Sequence, residues 1–213
     1  MFALNRRELI EQRLKKTILV VSNDENYSSI EAILNSKGAY SNFHENRRKI
    51  IEIINDLDNS QVFNKEYLIN MLYANTITIL ESYHSDTFIQ TVLSNDVYIR
   101  NFVETFHDYK KETLKMTDIY INYESLSVKV TKSMMDVIYH NIDKVKGMYN
   151  DTLAVSFPKD LTKIFLAIKN RHDIVHRNGR RVVDKSKRRT STGLDDNVPL
   201  LIGCYCQRIM FAS

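Results

Sequence analysis

The side chains best suited to chemistry stand within one short stretch of the chain. Arg171 and His176 are five positions apart, and His172, Asp173 and Arg177 lie beside them. An imidazole titrates near neutral pH and can give or take a proton, whereas a guanidinium stays charged and binds phosphate oxygens through paired N–H groups. Together these groups are suited to a phosphodiester substrate. The alternative interpretation is a solvated last helical turn whose positive charge opposes the helix dipole.

These side chains are predicted to lie near the end of a helix. Pro158 and Asp160 are typical of a helix start, and Gly179 is typical of a helix end. Apolar residues recur between them at helical spacing: Leu161, Ile164, Phe165, Ile168 and Val175. Arg171 and His172 fall on this apolar stripe. Burial there would carry a desolvation cost, which points to a functional reason for their presence.

The net charge of +4 is unevenly distributed along the chain. Residues 177–213 contain eight Lys or Arg against three Asp, whereas residues 1–176 contain 22 basic and 23 acidic residues. The positive field therefore adjoins the Arg/His stretch, which favours a polyanionic partner whose affinity falls steeply with salt. A basic tail without any partner is the alternative.

Cleavage of RNA without a metal sets requirements that these residues meet. A base must take the proton of the 2′-hydroxyl, an acid must protonate the leaving 5′-oxygen, and a cation must offset charge on the phosphorane. His176 of one chain cannot stand on both sides of an in-line displacement. A two-fold dimer brings two copies to one axis, so we expect a composite site shared by two chains.

The stretch resembles the signature of the HEPN superfamily, small all-helical domains that carry an Arg, four to six residues and a His late in the fold. Arg171 and His176 match this signature, and His172 provides the polar residue that usually follows the Arg. Residues 171–179 are similar to those of prokaryotic HEPN ribonucleases of the toxin and phage-defence type. The resemblance covers approximately residues 60 to 180.

The resemblance implies an endoribonuclease that pairs its motifs across a homodimer. His176 is then the proton-transfer residue and Arg171 the phosphate and transition-state ligand, supported by His172 and Asp173. Three further residues are expected to contact RNA: Arg177, Arg180 and Arg181. An antitoxin or defence-system partner protein also fits this class. Some HEPN toxins carry a tyrosine two residues after the histidine, but Asn178 occupies that position here.

Two other functions remain open from the sequence. HEPN-like domains also serve as non-catalytic dimerisation modules, and the motif would equally suit binding of RNA or a nucleotide without cleavage. Retention of RNA at low salt without a 2′,3′-cyclic phosphate product would distinguish binding from cleavage.

An all-α fold is predicted, because the chain contains only five glycines and two prolines. We expect a HEPN-like bundle of about four long core helices with an N-terminal helical extension. The domain boundaries are 1–58 for the extension, 59–180 for the bundle and 181–213 for a basic, irregular tail. The last part of this tail has no helical period, which raises the hypothesis that it is not native to the fold.

Apolar periodicity predicts the approximate positions of the helices. They are residues 43–57, 60–84, 94–115 and 128–147, followed by the helix that carries the motif. Ser41 or Asn42 is the predicted cap of the first of these helices, and the run Ser94-Asn95-Asp96 is the predicted cap of the third. Glu81, near the end of the second, is a candidate neighbour of the motif in the folded chain.

No cofactor or metal is expected from the sequence. Cys204 and Cys206 are one residue apart, which suits neither an ordinary disulfide nor a complete zinc site. His172 and His176 have a spacing that can hold a metal, but the sequence places no third ligand beside them. The chain shows no apolar run of membrane length and no signal-peptide core, so a cytoplasmic location without membrane attachment is expected.

Overall fold

The structure is a computed structural model that describes residues 38–59, 61 and 63–177, together with 198, 199, 202, 203, 205 and 206. These residues form an all-α fold with six α-helices, which confirms the predicted class. The helices are α1 (Ala39–Asp58), α2 (Lys65–Leu93), α3 (Asp96–Thr105), α4 (Ile119–Met135), α5 (Ile142–Leu153) and α6 (Thr162–Arg177). Two short 3-10 turns, Tyr109–Lys111 and Met116–Asp118, lie between α3 and α4.

Helix α2 is the central element, and each of the other five helices packs against it. Its 29 residues contain neither glycine nor proline, so nothing in the sequence interrupts it. Side chains from Tyr73 to Leu93 are buried at intervals of three and four residues, and they occupy more than one face of the helix. The bundle is therefore arranged around α2, and α6 is positioned by it.

An aromatic cluster joins α2 to α5 and to the segment that follows α5. The ring of His84 stacks on Phe157 with centroids 5.7 Å apart and an angle of 20° between the rings. The hydroxyl of Tyr149 donates a hydrogen bond of 2.7 Å to the backbone carbonyl of His84. Phe88 completes the contact, with its ring 4.9 Å from that of Tyr149. Neither ring nitrogen of His84 has a hydrogen-bond partner in the described ranges.

Helix α1 belongs to the same hydrophobic core as the rest of the bundle. Ala39 and Phe43 lie in that core, and the Phe43 ring is 4.9 Å from the ring of Tyr83 on α2. The boundary predicted at residue 58 therefore falls between two helices of one core. Gly38 occupies the N-cap position of α1 and makes no side-chain cap, so neither Ser41 nor Asn42 is the cap.

Side-chain caps form where the sequence predicts them for α3 and α6. The Asn95 carboxamide accepts a hydrogen bond of 2.9 Å from the backbone N–H of Val97. The Asp160 carboxylate accepts one of 3.0 Å from the backbone N–H of Thr162, and this bond lowers the pKa of Asp160. Each bond satisfies one of the N–H groups that a helix start leaves unpaired.

Replacing Asn95 with alanine is expected to lower the free energy of unfolding by about 1 kcal/mol, because the first turn of α3 loses its cap. Urea denaturation followed by circular dichroism measures this change. Asn95→Asp keeps an acceptor oxygen at the same place and should retain most of the stability. Equal loss in both variants would contradict a capping role.

Three of the predicted helices differ clearly in extent from the helices in the structure. The second helix begins at Lys65 and continues to Leu93, well past the predicted end. Helix α3 ends at Thr105, because Phe106 adopts an extended conformation. Residues 128–147 are not one helix: α4 ends at Met135 and α5 begins at Ile142.

The C-terminal residues that the structure describes are helical and buried, which contradicts the prediction of an irregular tail for them. Val198, Ile202, Tyr205 and Cys206 belong to the hydrophobic core. Their spacing of three and four residues places them on one helical face. The Tyr205 ring stands edge-on to the ring of His84 at 5.6 Å. These residues are thus part of the folded bundle.

In the ranges that the structure covers, no helix is both long enough and apolar enough to cross a membrane.

Candidate functional site

The motif helix α6 is attached to α2 along one face. Ile164 and Ala167 are buried in the core, and the Asn170 side-chain amide donates a hydrogen bond of 3.3 Å to the hydroxyl of Tyr73. The attachment fixes the rotation of α6 about its axis. It therefore decides which of the later side chains point outward.

The apolar stripe predicted for α6 is only partly buried. Leu161 and Ile164 lie in the core, but Phe165 is 40% exposed and Val175 is 50% exposed. A helix turns about 100° per residue, so a stripe extended over four turns drifts away from a fixed contact surface. The last turns of α6 consequently present both apolar and polar side chains to solvent.

Arg171 and His176 do not share a face of α6. Residues five positions apart differ by about 140° around a helix. Arg171 is half-buried, whereas His176 is exposed. The Nε atom of Arg171 is buried and has no hydrogen-bond partner among the residues described. The two groups that the motif combines therefore point in different directions within one chain.

His172 and His176 are brought together instead. Their ring centroids are 4.5 Å apart with 45° between the ring planes, and both residues are exposed. Residues four apart lie on the same side of a helix, which explains the contact. The pair offers two imidazoles to solvent at the end of α6. Imidazole side chains can both accept and donate a proton, which is what general acid–base chemistry requires.

Asp173 pairs with Arg177, although the sequence favoured a role in orienting His176. The Nη1 group of Arg177 donates to the Asp173 carboxylate over 2.8 Å, and the Asp173 side chain is nearly buried. An acidic residue four positions before a basic one is a favourable helical pair, and this spacing could have identified the contact from sequence. The pair therefore holds one guanidinium in the last turn of α6.

Glu81 is paired outside the motif. Its carboxylate lies 3.2 Å from Nδ1 of His140, in the turn between α4 and α5. Glu81 thus contributes to the packing of that turn rather than to the end of α6. Two residues of the predicted site, Arg180 and Arg181, lie outside the described residues, as does Gly179, the predicted helix end.

The site has the ligands for anion binding and too few ligands for a metal. Over the described part of the chain, no group of three or more His, Cys, Asp or Glu side chains is arranged to hold a metal ion. The His172–His176 pair alone supplies two nitrogens, whereas stable sites use three or four protein ligands. Arg171 and Arg177 supply guanidinium groups on either side of the pair, and these suit phosphate oxygens.

Comparison of the chain with protein-family models, with curated proteins and with solved structures finds no match.

Proposed function

We propose that the chain is a metal-independent RNA endonuclease of the HEPN type, acting as a toxin or an anti-phage effector in the cytoplasm. The observation that carries this proposal is the pair of exposed imidazoles, His172 and His176, in the last turns of α6, where Asp173 also holds the guanidinium of Arg177. Proton transfer and anion binding are the two capacities that RNA cleavage needs.

The reaction is an in-line displacement at phosphorus. The 2′-hydroxyl oxygen attacks the adjacent phosphorus atom and its proton passes to the imidazole of His176 in one copy. The bond from phosphorus to the 5′-oxygen breaks, and His176 of the second copy gives that oxygen a proton. The products are a 2′,3′-cyclic phosphate and a free 5′-hydroxyl, so no water or metal is consumed in this step.

A second copy is needed because one chain cannot surround the phosphate. Arg171 and His176 diverge by about 140° on α6, so the guanidinium that meets a given imidazole at the phosphate belongs to the other chain. In a two-fold arrangement each chain places Arg171 on one side of the shared phosphate and His176 on the opposite side of it. Arg171 then neutralises the charge that develops on the phosphorane.

Arg177 is assigned to the substrate backbone next to the cleaved bond. Its pairing with Asp173 leaves the side chain 45% exposed, so part of the guanidinium faces solvent. Arg180 and Arg181 follow within one further turn of sequence and extend the same positive field. Contacts of this kind bind every phosphate alike and add affinity without sequence preference.

A binding module without catalysis is the second candidate. The half-buried position of Arg171 favours it, because a guanidinium whose Nε is buried is less able to reach a transition state than a fully exposed one. In that case the exposed imidazoles and Arg177 hold RNA or a nucleotide, and no bond is broken.

Incubation of the purified chain with a labelled RNA in the presence of a chelator tests the two candidates. Cleavage is expected to yield fragments ending in a 2′,3′-cyclic phosphate, and the yield should be unaffected by removal of divalent metal. Raising the salt concentration should lower RNA affinity steeply, since bound counterions are released from the RNA. Intact RNA that is retained at low salt would reject the nuclease and support the binding module.

A further inference from the structure

A second surface of the molecule is distinguished by exposed apolar side chains. It comprises the turn before α4 and the first turns of that helix, and we name it the α4 tip. Its large apolar residues are Leu114, Met116, Ile119, Tyr120, Ile121 and Tyr123, which are between 41% and 84% exposed. Six large apolar side chains within ten consecutive residues form a patch, whereas single exposed apolar residues are ordinary.

The α4 tip is a helix start without a buried face. The first buried residue of α4 is Val130, so three turns of the helix precede any full burial. A short helical segment in water is marginal unless one face packs against something. Its apolar residues also include neighbours such as Tyr120 and Ile121, which point about 100° apart. The segment therefore presents apolar groups in more than one direction.

The patch has the size of one side of a protein interface. With large side chains of about 200 Å² each, the exposed fractions of the α4 tip correspond to about 800 Å². One partner of a standard-size interface buries about 800 Å², and the largest apolar patch on a typical monomer covers about 300–600 Å². Tyrosine and methionine, which interfaces favour, are both present.

The charges that flank the α4 tip are complementary to one another. Residues 110–115 contain three lysines and one glutamate, a net charge of +2, and residues 118–124 contain Asp118 and Glu124, a net charge of −2. In an antiparallel two-fold contact, the residues before the tip in one copy face the residues after the tip in the other. Lys115 then meets Glu124 of the second copy, and the same pairing recurs on the other side of the axis.

We propose that the α4 tip is the docking surface for a second copy of this chain, joined through an antiparallel contact of the two α4 helices. The contact buries the apolar side chains of both tips against each other and pairs Lys115 with Glu124 twice. The proposal rests on the exposure of these side chains, on the apolar area of the tip and on the charges that flank it. It does not depend on whether the chain cleaves RNA.

Tyr120→Asp combined with Tyr123→Asp tests the proposal. Wild type at micromolar concentration is expected to sediment with twice the 25.0 kDa of one chain, and the double variant with the mass of one chain. Central tyrosines of an interface are hot spots, so each change should raise the dimer dissociation constant about 30-fold. The matched control is Tyr67→Asp, since Tyr67 on α2 is 60% exposed and outside the tip. This control should remain dimeric.

Charge exchange tests the antiparallel register. Lys115→Glu should weaken the dimer, because two acidic groups then meet, and the combination Lys115→Glu with Glu124→Lys should restore it. The proposal is overturned if the wild-type chain is monomeric. This includes the case in which the monomer rises with phosphatidylcholine vesicles in a density gradient. A dimer that survives both tyrosine changes overturns it as well, and RNA cleavage by that dimer would leave the proposed function intact.

Discussion

The His176→Ala variant is expected to cleave RNA about 100- to 10,000-fold more slowly than the wild-type chain, because it loses proton transfer at both sides of the displacement. The imidazole is exposed at the end of α6, so its removal should leave the fold unchanged. Single-turnover cleavage of a labelled RNA measures the rate. In bacteria, induced expression of wild type should arrest growth, and expression of the variant should not.

His107→Ala is the matched control for this experiment. His107 is also exposed, and its only described neighbour in an ion pair is Asp108, which lies after α3 and outside the motif helix. It should therefore retain wild-type cleavage and toxicity. His172→Ala should have a smaller effect than His176→Ala, since His172 supports its neighbour rather than transferring the proton. Equal toxicity of wild type and His176→Ala would discredit the nuclease proposal.

The second large effect concerns acid stability and is expected at His84. Full burial lowers the pKa of this imidazole to about 3 from its ordinary value of 6.5. In the unfolded chain the ring takes up a proton near pH 6.5, while in the folded chain it stays neutral until about pH 3. Unfolding therefore becomes more favourable as the pH falls through this window, by about 1.4 kcal/mol per pH unit from His84 alone.

His84→Phe should remove this loss of stability at acidic pH. Phenylalanine can keep the stack on Phe157 and has no ring nitrogens that need partners, so the variant should be at least as stable as wild type at pH 7. The difference in unfolding free energy should grow to roughly 4 kcal/mol near pH 3.5. Urea denaturation at pH 7, 5 and 4 measures it. Parallel stability profiles for the two proteins would show that His84 is not the titrating group.

The contribution of Asp86 to the free energy of unfolding has the opposite pH dependence to that of His84. The two contributions must therefore be separated. Desolvation raises the pKa of Asp86 to about 6, so the folded chain binds a proton there before the unfolded chain does. Stability from this group increases as the pH falls through 6, which partly masks the effect of His84 in wild type. The comparison of His84→Phe with wild type cancels this contribution, since both proteins retain Asp86.

The sequence predicted the two helix starts that carry a side-chain cap. Asn95 and Asp160 were recognisable because their side chains provide the acceptor that a helix start requires. The end of α3 at Thr105 has no glycine or proline to mark it. Local chemistry therefore identified caps, but it could not identify an end that tertiary packing imposes.

The break between α4 and α5 was hidden by the apolar pattern. Val137 and Tyr139 lie in the turn, yet both are buried in the core, so the turn continues the apolar spacing of the helices. Gly147 was predicted to end a helix and instead lies inside α5, where no atoms crowd its position. A single glycine inside a helix costs only about 1 kcal/mol relative to alanine, which packing can offset.

The C-terminal helical residues were missed because Pro199 and Gly203 resemble helix breakers. Proline is tolerated in the first turn of a helix, where its missing N–H would be unpaired in any case. Gly203 lies against a residue distant in sequence, since a Cβ there would be 2.6 Å from Nη1 of Arg47 on α1 and the arginine side chain would have to shift. No local rule reveals such a neighbour from the sequence of the segment itself.

For the site, the sequence located the residues but not their directions. It identified Arg171, His172 and His176, and the structure places the two histidines together and leaves the arginine half-buried on another face of α6. The rotation depends on which face of α6 contacts α2, through contacts such as the hydrogen bond from Asn170 to Tyr73. That contact joins residues 97 positions apart, beyond the range of any local pattern.

The burial of Val198 in the core has a consequence for the basic residues that precede it in the sequence. Residues 178–197 connect Arg177, the last residue of α6, to the core residue Val198, so the chain on both sides of these twenty residues is held by the bundle. Six of them are Lys or Arg. If the chain binds RNA as proposed, a polyanion held by any one of these side chains would meet the others, and the end of α6, at a raised effective concentration. Weak individual contacts would then combine into avidity.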